Sequence, residues 1–110
     1  MKPILLICPK LPANGMAIFP FILVKSKLLE SNRTLINHER IHHKQQLELL
    51  ILPFYIFYFF HYVINLIIYK DHYKAYINII FEKEAYIHEE NLDYLKTRKL
   101  FSWIALLTRK

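Results

Sequence analysis

The sequence predicts an α+β domain, predominantly helical, with short N-terminal β segments followed by about four helices. Three observations carry that reading. The first 24 residues are β-prone around a Pro-Ala-Asn-Gly stretch. From Arg33 onward there is no glycine and one proline, Pro53. The single glycine, Gly15, leaves nothing from which to build a series of hairpin turns or a phosphate-cradling loop, which argues against all-β and nucleotide-binding readings.

The elements follow in chain order. Ile4 to Cys8 is a short apolar run ended by Pro9, too short for a secretory core and suited to a strand. Leu11 to Met16 carries the turn residues, and Ala17 to Val24 reads as a second strand. Pro20 cannot donate to a ladder, so that strand is expected at an edge or irregular near its middle. Ser31 and Asn32 are capping residues before a first helix from Arg33 to Leu52, which Pro53 ends or kinks. Phe54 to Tyr69 reads as a second helix; seven of the nine residues from Phe54 to Tyr62 are aromatic. Asp71 and His72 mark a break, a third helix is expected from Tyr73 to Leu95, and a short one covers Leu100 to Leu107 before Thr108-Arg109-Lys110.

At 110 residues the chain is expected to form a single domain over 1–110, too small to hold a separate cofactor domain. Fifteen Lys and Arg against nine Asp and Glu give a net charge of +6. The basic residues are dispersed rather than gathered on one stripe, so nucleic acid is a disfavoured partner. The lone Cys8 can form neither an internal disulfide nor a cysteine zinc cage, which suits a reducing cytoplasm or the inner face of its membrane. A hydrophobic content of 55% exceeds what so small a domain easily buries, and lipid or a partner is expected against part of it.

Within the first helix lies His38-Glu39-Arg40-Ile41-His42, an H-E-x-x-H motif. Residues four apart stand one turn above each other on a helix, so both imidazoles can address one ion. Glu39 sits about 100° round the helix, where its carboxylate can serve as general base without itself being a ligand. A catalytic site of this kind needs a third protein ligand and an open position for water. With six His and seven Glu in the chain, random placement produces the pattern on the order of 0.02 times per chain.

A second acidic motif, Phe81-Glu82-Lys83-Glu84-Ala85-Tyr86, follows on the third predicted helix. HERIHHKQQ followed by FEKEAY resembles the gluzincin metallopeptidases, in which a glutamate helix with an E-x-E-A-D-like motif supplies the third zinc ligand. The chain's length is similar to that of the minigluzincins, and the paired motifs also resemble membrane-associated gluzincins of the prenyl-protein protease type. The resemblance covers about fifteen residues. It implies Zn2+ as cofactor, His38, His42 and Glu82 as ligands, Glu39 as general base and acid, an H-E-x-x-H helix packed against a glutamate helix, and a peptide or protein substrate. Glu84, about 200° from Glu82, is the weaker ligand candidate and better suited to a solvated partner of Lys83 or Arg98. Where these families place an aspartate four residues after the ligand glutamate to orient a histidine, this chain has Tyr86, a weaker acceptor; Glu89 or Glu90 is placed to substitute. Gln46 on the His42 face is a further candidate for orienting ligands, and His88, Tyr86 or Tyr76 for donating to a developing oxyanion. His43 is expected on the helix flank.

Leu49 to Tyr69 contains no charge and, at about 1.5 Å per residue, is long enough to cross a membrane. The two halves of the proposed site flank that segment. A straight span would put them on opposite membrane faces, so the reading favoured is a path broken at Pro53, with Phe54 to Tyr69 folded back beside the catalytic helix. His61 and Asn65 share a face suited to a polar site or to headgroups. Two functions compete: a small zinc metalloendopeptidase, associated with a membrane surface or free of it, and a non-catalytic membrane-surface or partner-binding protein whose metal site is structural or vestigial.

Overall fold

The computed structural model describes residues 3–108; the Met1-Lys2 start and the basic Arg109-Lys110 end lie outside it. Three strands, β1 (Ile4–Ile7), β2 (Gly15–Ile18) and β3 (Phe21–Val24), precede six helices, so the α+β, predominantly helical class is the one the sequence predicts. The helices are α1 (Arg33–Glu48), α2 (Leu52–Tyr69), α3 (His72–Ile77), α4 (Ile80–His88), α5 (Tyr94–Thr97) and α6 (Ile104–Thr108). The expected count of two strands and four helices is corrected in both classes.

The extra strand arises at Pro20. The segment read as one irregular strand is a hairpin, folded at Phe19-Pro20 through a cis peptide bond. Its two arms pair antiparallel, Ile18 with Phe21 through Gly15 with Val24. β1 adds to β3 in parallel, Ile4 opposite Phe21 and Ile7 opposite Val24, so the order is β1-β3-β2 and β2 is an edge. Period two turns Ile22 and Val24 inward, both fully buried against α1.

α1 starts where Asn32 caps it, its side chain accepting Leu35 N–H at 3.1 Å. It ends at Glu48, four residues short of expectation, because the reversal falls before Pro53. Leu50 and Ile51 take φ of 61° and 67°, a left-handed conformation that side chains, β-branched ones above all, rarely adopt. Pro53 sits inside the first turn of α2, where its missing N–H costs nothing. This corner turns α2 back along α1, which is how the uncharged segment rejoins the two halves of the site.

The helix expected from Tyr73 to Leu95 is three. Asp71 caps α3 by accepting Lys74 N–H at 2.8 Å. The chain then breaks at Asn78-Ile79, with Ile79 extended at φ −61°, ψ 131° and completely buried. Burial of Ile79, Ile80 and Phe81 with Phe54 of α2 outweighs the continuity that the absence of Gly and Pro suggests. A second break over Glu89–Asp93 lets Tyr94 fold back onto Ile41 and Ala85. His61 and Asn65 face the protein, not headgroups: His61 Nδ1 accepts Ile80 N–H at 3.0 Å, and Asn65 donates to the Ala75 carbonyl at 3.1 Å.

Candidate metal centre

His38 and His42 stand one turn apart on α1, their rings 4.9 Å between centroids. α4 packs against this face and brings Glu82 to both: Glu82 Oε1 lies 3.0 Å from His38 Nε2 and 3.0 Å from His42 Nε2. All three residues are buried. Among the described residues, this is the cluster of His, Cys, Asp or Glu side chains that could hold a metal ion.

The outer nitrogens fix what the inner ones present. His38 Nδ1 lies 2.7 Å from Glu89 Oε1, which can only accept, so Nδ1 carries the proton. His42 Nδ1 lies 2.7 Å from Gln45 Oε1. The orientation of that amide is set by its other end, since Gln45 Nε2 donates to the Phe81 carbonyl at 3.0 Å and to Glu84 Oε1 at 2.9 Å. With Nδ1 of each ring turned to an outer acceptor, both rings turn Nε2 towards one carboxylate oxygen. A carboxylate oxygen 3.0 Å from each of two ring nitrogens needs a proton or a cation between them. Three ligand atoms on a tetrahedral zinc at about 2.0–2.1 Å stand roughly 3.3 Å apart, a few tenths of an ångström beyond the two carboxylate–imidazole spacings, so the donor set fits such an ion with slight expansion.

The electrostatics agree. Burial opposes charge on His42, but Glu82, with its charge and hydrogen bond, together with Glu39 and Gln45, outweighs it and holds the imidazole up at about 9. Burial likewise pushes Glu82 up, and His42 and His38 overcome it, leaving the carboxyl well below its usual range. Tyr58 donates to the remaining oxygen, Glu82 Oε2, so the carboxylate is held by one oxygen on each side. Burial and the neighbouring Glu82 charge raise the Tyr58 and Tyr76 hydroxyls far above the ordinary phenol value, so both stay protonated.

Glu39 is buried and faces a cavity of about 290 Å³ whose walls include His42, Glu82, Phe54, Tyr55, Tyr58 and Met16. Burial raises its carboxyl, against the charges of His42 and His38 and with those of Glu82 and Glu89. β2 approaches this acid closely: a Cβ on Gly15 would stand 3.1 Å from Glu39 Oε2 and 3.1 Å from Leu35 Cδ1, so a side chain here crowds the site. Asn14 O takes the Lys25 N–H, which places the bonded rungs on even residues of β2 and turns Gly15 and Ala17 to the outer edge. The Ala17 carbonyl is taken by Gln46 Nε2 at 2.8 Å and Tyr55 Oη at 2.6 Å.

The structure thus brings together His38, Glu39, His42, Glu82 and Glu89, with Tyr76 on the cavity wall and Tyr86 against His38, and places Gln46, His88, His43 and Glu84 in other roles. Tyr86 packs its ring edge-on against His38, 4.5 Å between centroids, and its hydroxyl meets Tyr76 Oη at 3.0 Å. Gln46 serves the β2 hairpin, accepting Phe19 N–H at 2.8 Å, and its hydrogen bonds go to Phe19, Ala17 and Tyr55 rather than to a ligand. His88 stacks on Tyr94, centroids 3.8 Å apart, away from the ligands. His43 is buried on the sheet side and donates to the Phe21 carbonyl at 2.8 Å. Glu84 is not solvated but buried, paired with Arg98 and hydrogen-bonded by Gln45 and Tyr94. Tyr58 and Gln45 escaped the sequence reading. Gln45 stands three residues after His42, a spacing that shares a helix face, whereas nothing marks Tyr58 among its aromatic neighbours.

The chain matches no protein-family model, no curated protein and no solved structure.

Proposed function

We propose that this protein is a small zinc-dependent metallopeptidase that hydrolyses peptide bonds. One observation carries the reading: two Nδ1-protonated imidazoles and a carboxylate oxygen converge on a single point. Beside it stands a buried acid facing an apolar cavity. His38, His42 and Glu82 would hold the ion. Bound there, zinc supplies Lewis acidity, polarising a carbonyl and lowering the pKa of water.

The chain's own groups do the rest. Glu39, with its carboxyl raised by burial, is suited to take a proton from water and return it to the leaving amine. Tyr58 spends its hydroxyl proton on Glu82 and steadies that carboxylate, and Tyr76, kept protonated at the cavity wall, is the hydroxyl donor suited to a developing oxyanion. An extended peptide would run along the outer edge of β2 at Gly15, the close approach there bringing its backbone past Glu39. The cavity between Met16, Phe54 and Tyr55 would take an apolar side chain of that peptide.

The test is metal content and cleavage together. The purified chain should carry close to one zinc, lose it on His42→Ala, and keep it on Glu39→Gln while losing cleavage of a peptide library. Zinc content indifferent to His42→Ala sinks the site. A second reading, a structural zinc in a non-catalytic binding protein, draws on the coupling of His42 through Gln45 to the buried Glu84–Arg98 pair. Zinc retention with no cleavage by wild type in any library selects that reading instead.

A further inference from the structure

α2 is built inside out. At about 100° per residue, Tyr55, Tyr58, His61, Tyr62 and Asn65 share one half of the helix. That half faces the protein and is satisfied there: Tyr58 by Glu82, His61 by Ile80 N–H, Asn65 by the Ala75 carbonyl. The opposite half carries Ile56, Phe57, Phe60, Ile64, Ile67 and Ile68, which are 48–70% exposed. Only Phe54 and Asn65 of the eighteen residues are buried. A helix at the surface of a water-soluble domain has the reverse arrangement.

We infer that the outer face of α2 inserts into an anionic lipid surface, with the helix lying in the plane of the interface. By length and composition α2 would cross a bilayer. Its inner side, however, carries α3 and α4 along its length, and a crossing would draw Lys74, Lys83 and the Glu82 cluster into hydrocarbon. Lying flat, it buries only its apolar half at the headgroup and acyl boundary. Charge decides between lipid and a second copy. α2 has no charged residue, the chain is +6, and exposed Tyr69 and Lys70 at the end of α2, with exposed Tyr73 and Lys74 of α3, are aromatic and cationic groups that suit an anionic headgroup layer, the two lysines outnumbering the exposed Asp71 between them. Two copies meeting on this face would bring together two chains of +6 each. The inner leaflet of a cytoplasmic membrane offers such a surface.

Phe54, Tyr55 and Tyr58 line the cavity from the inner side of the same helix, so the candidate site would stand one helix thickness, about 10 Å, from the lipid. Resting on the peptidase reading, the substrate class is then a peptide at the membrane surface.

The test is co-sedimentation of the full chain with phosphatidylcholine vesicles, with and without phosphatidylglycerol. Wild type should bind the anionic vesicles at least about tenfold more tightly, a preference removed by Lys70→Glu with Lys74→Glu. Phe57→Ser, Phe60→Ser and Ile64→Ser together should weaken binding by about tenfold or more while zinc content stays at the wild-type level, which shows the variant folded. Wild type that stays in the supernatant with both lipids overturns the inference. So does a dimer in solution that the triple variant dissociates, with no lipid bound by either. Zinc content that fails the test of the site while vesicle binding behaves as stated removes the peptidase reading and the substrate class, and leaves the membrane face standing.

Discussion

Glu89 accepts the Nδ1–H of His38 at 2.7 Å, seven residues after Glu82 and just past the end of α4. The position is held from α1: the Asn37 side-chain amide reaches the carbonyls of His88, Glu89 and Asn91, so the chain leaving α4 is tied beside the histidine it must orient. A carboxylate at this place fixes the tautomer and strengthens Nε2 as a donor to a cation. Glu89→Ala should therefore weaken zinc binding by about 10–100-fold, measured by competition with a chelating dye, with helicity unchanged. Tyr86→Phe, which removes a hydroxyl that faces Tyr76 and leaves the ring against His38, should stay within about twofold of wild type. Equal losses in the two variants would mean that Glu89 is not the orienting group.

Arg98 joins three elements. It pairs with Glu48 of α1 at 2.7 Å and with Glu84 of α4, and all three side chains are almost inaccessible. Glu48 also accepts the Phe101 N–H and the indole N–H of Trp103, so the segment after α5 is fastened to the two helices that carry the ligands. Burial works against the Glu84 charge, but Arg98, Gln45 and Tyr94 overcome it and hold the carboxyl below its usual range. Arg98→Met leaves two buried carboxylates without their cation and should cost about 3–5 kcal/mol in urea unfolding followed by Trp103 emission. Adding Glu48→Gln and Glu84→Gln should restore part of that loss; no recovery would place the effect in the arginine's packing rather than its charge.

Gly15 is the close approach between β2 and the acid. Its φ is ordinary, so the requirement is space rather than backbone freedom. Gly15→Ala puts a carbon 3.1 Å from both Glu39 Oε2 and Leu35, and one of them must give by a few tenths of an ångström. Peptide cleavage should fall by about tenfold or more through kcat, with zinc content unchanged, because the displaced group is the acid and not a ligand. Loss of zinc instead would show that β2 shapes the ligand pocket itself.

How far the sequence reached follows the range of each interaction. The facing of His38 and His42 is a property of one helix turn and is legible from spacing. That Glu82 meets them rests on the Leu50-Ile51 corner, where ordinary side chains take a left-handed backbone, and on the break at Ile79; neither has a Gly or Pro to announce it. Pro20 and Pro53 were visible as interruptions, but whether proline makes a hairpin turn or a helix's first turn depends on what packs around it. Gln46 and Gln45 show the limit on side chains. Both lie within reach of His42 by position, and the sheet beside one and α4 beside the other decide which orients the ring.

His61 links α2 to the start of the glutamate helix and makes that link dependent on pH. Ile80 opens α4, so its N–H has no partner within the helix, and His61 Nδ1 accepts it at 3.0 Å. Only an unprotonated Nδ1 can accept. Burial lowers the imidazole from its ordinary value near 6.5, and Lys83 nearby lowers it further. Between the folded and unfolded values the unfolded chain binds more protons, so stability rises with pH. The contribution is complete above about pH 6.5 and is lost as pH falls through the lowered folded value. His61→Asn keeps an acceptor at the same distance from the backbone and cannot titrate. Urea unfolding from about pH 8 to about pH 5 should give wild type the steeper decline, the other histidines contributing equally to both proteins. Parallel curves would show that His61 keeps its proton state through folding and that the N-terminus of α4 is held by packing alone.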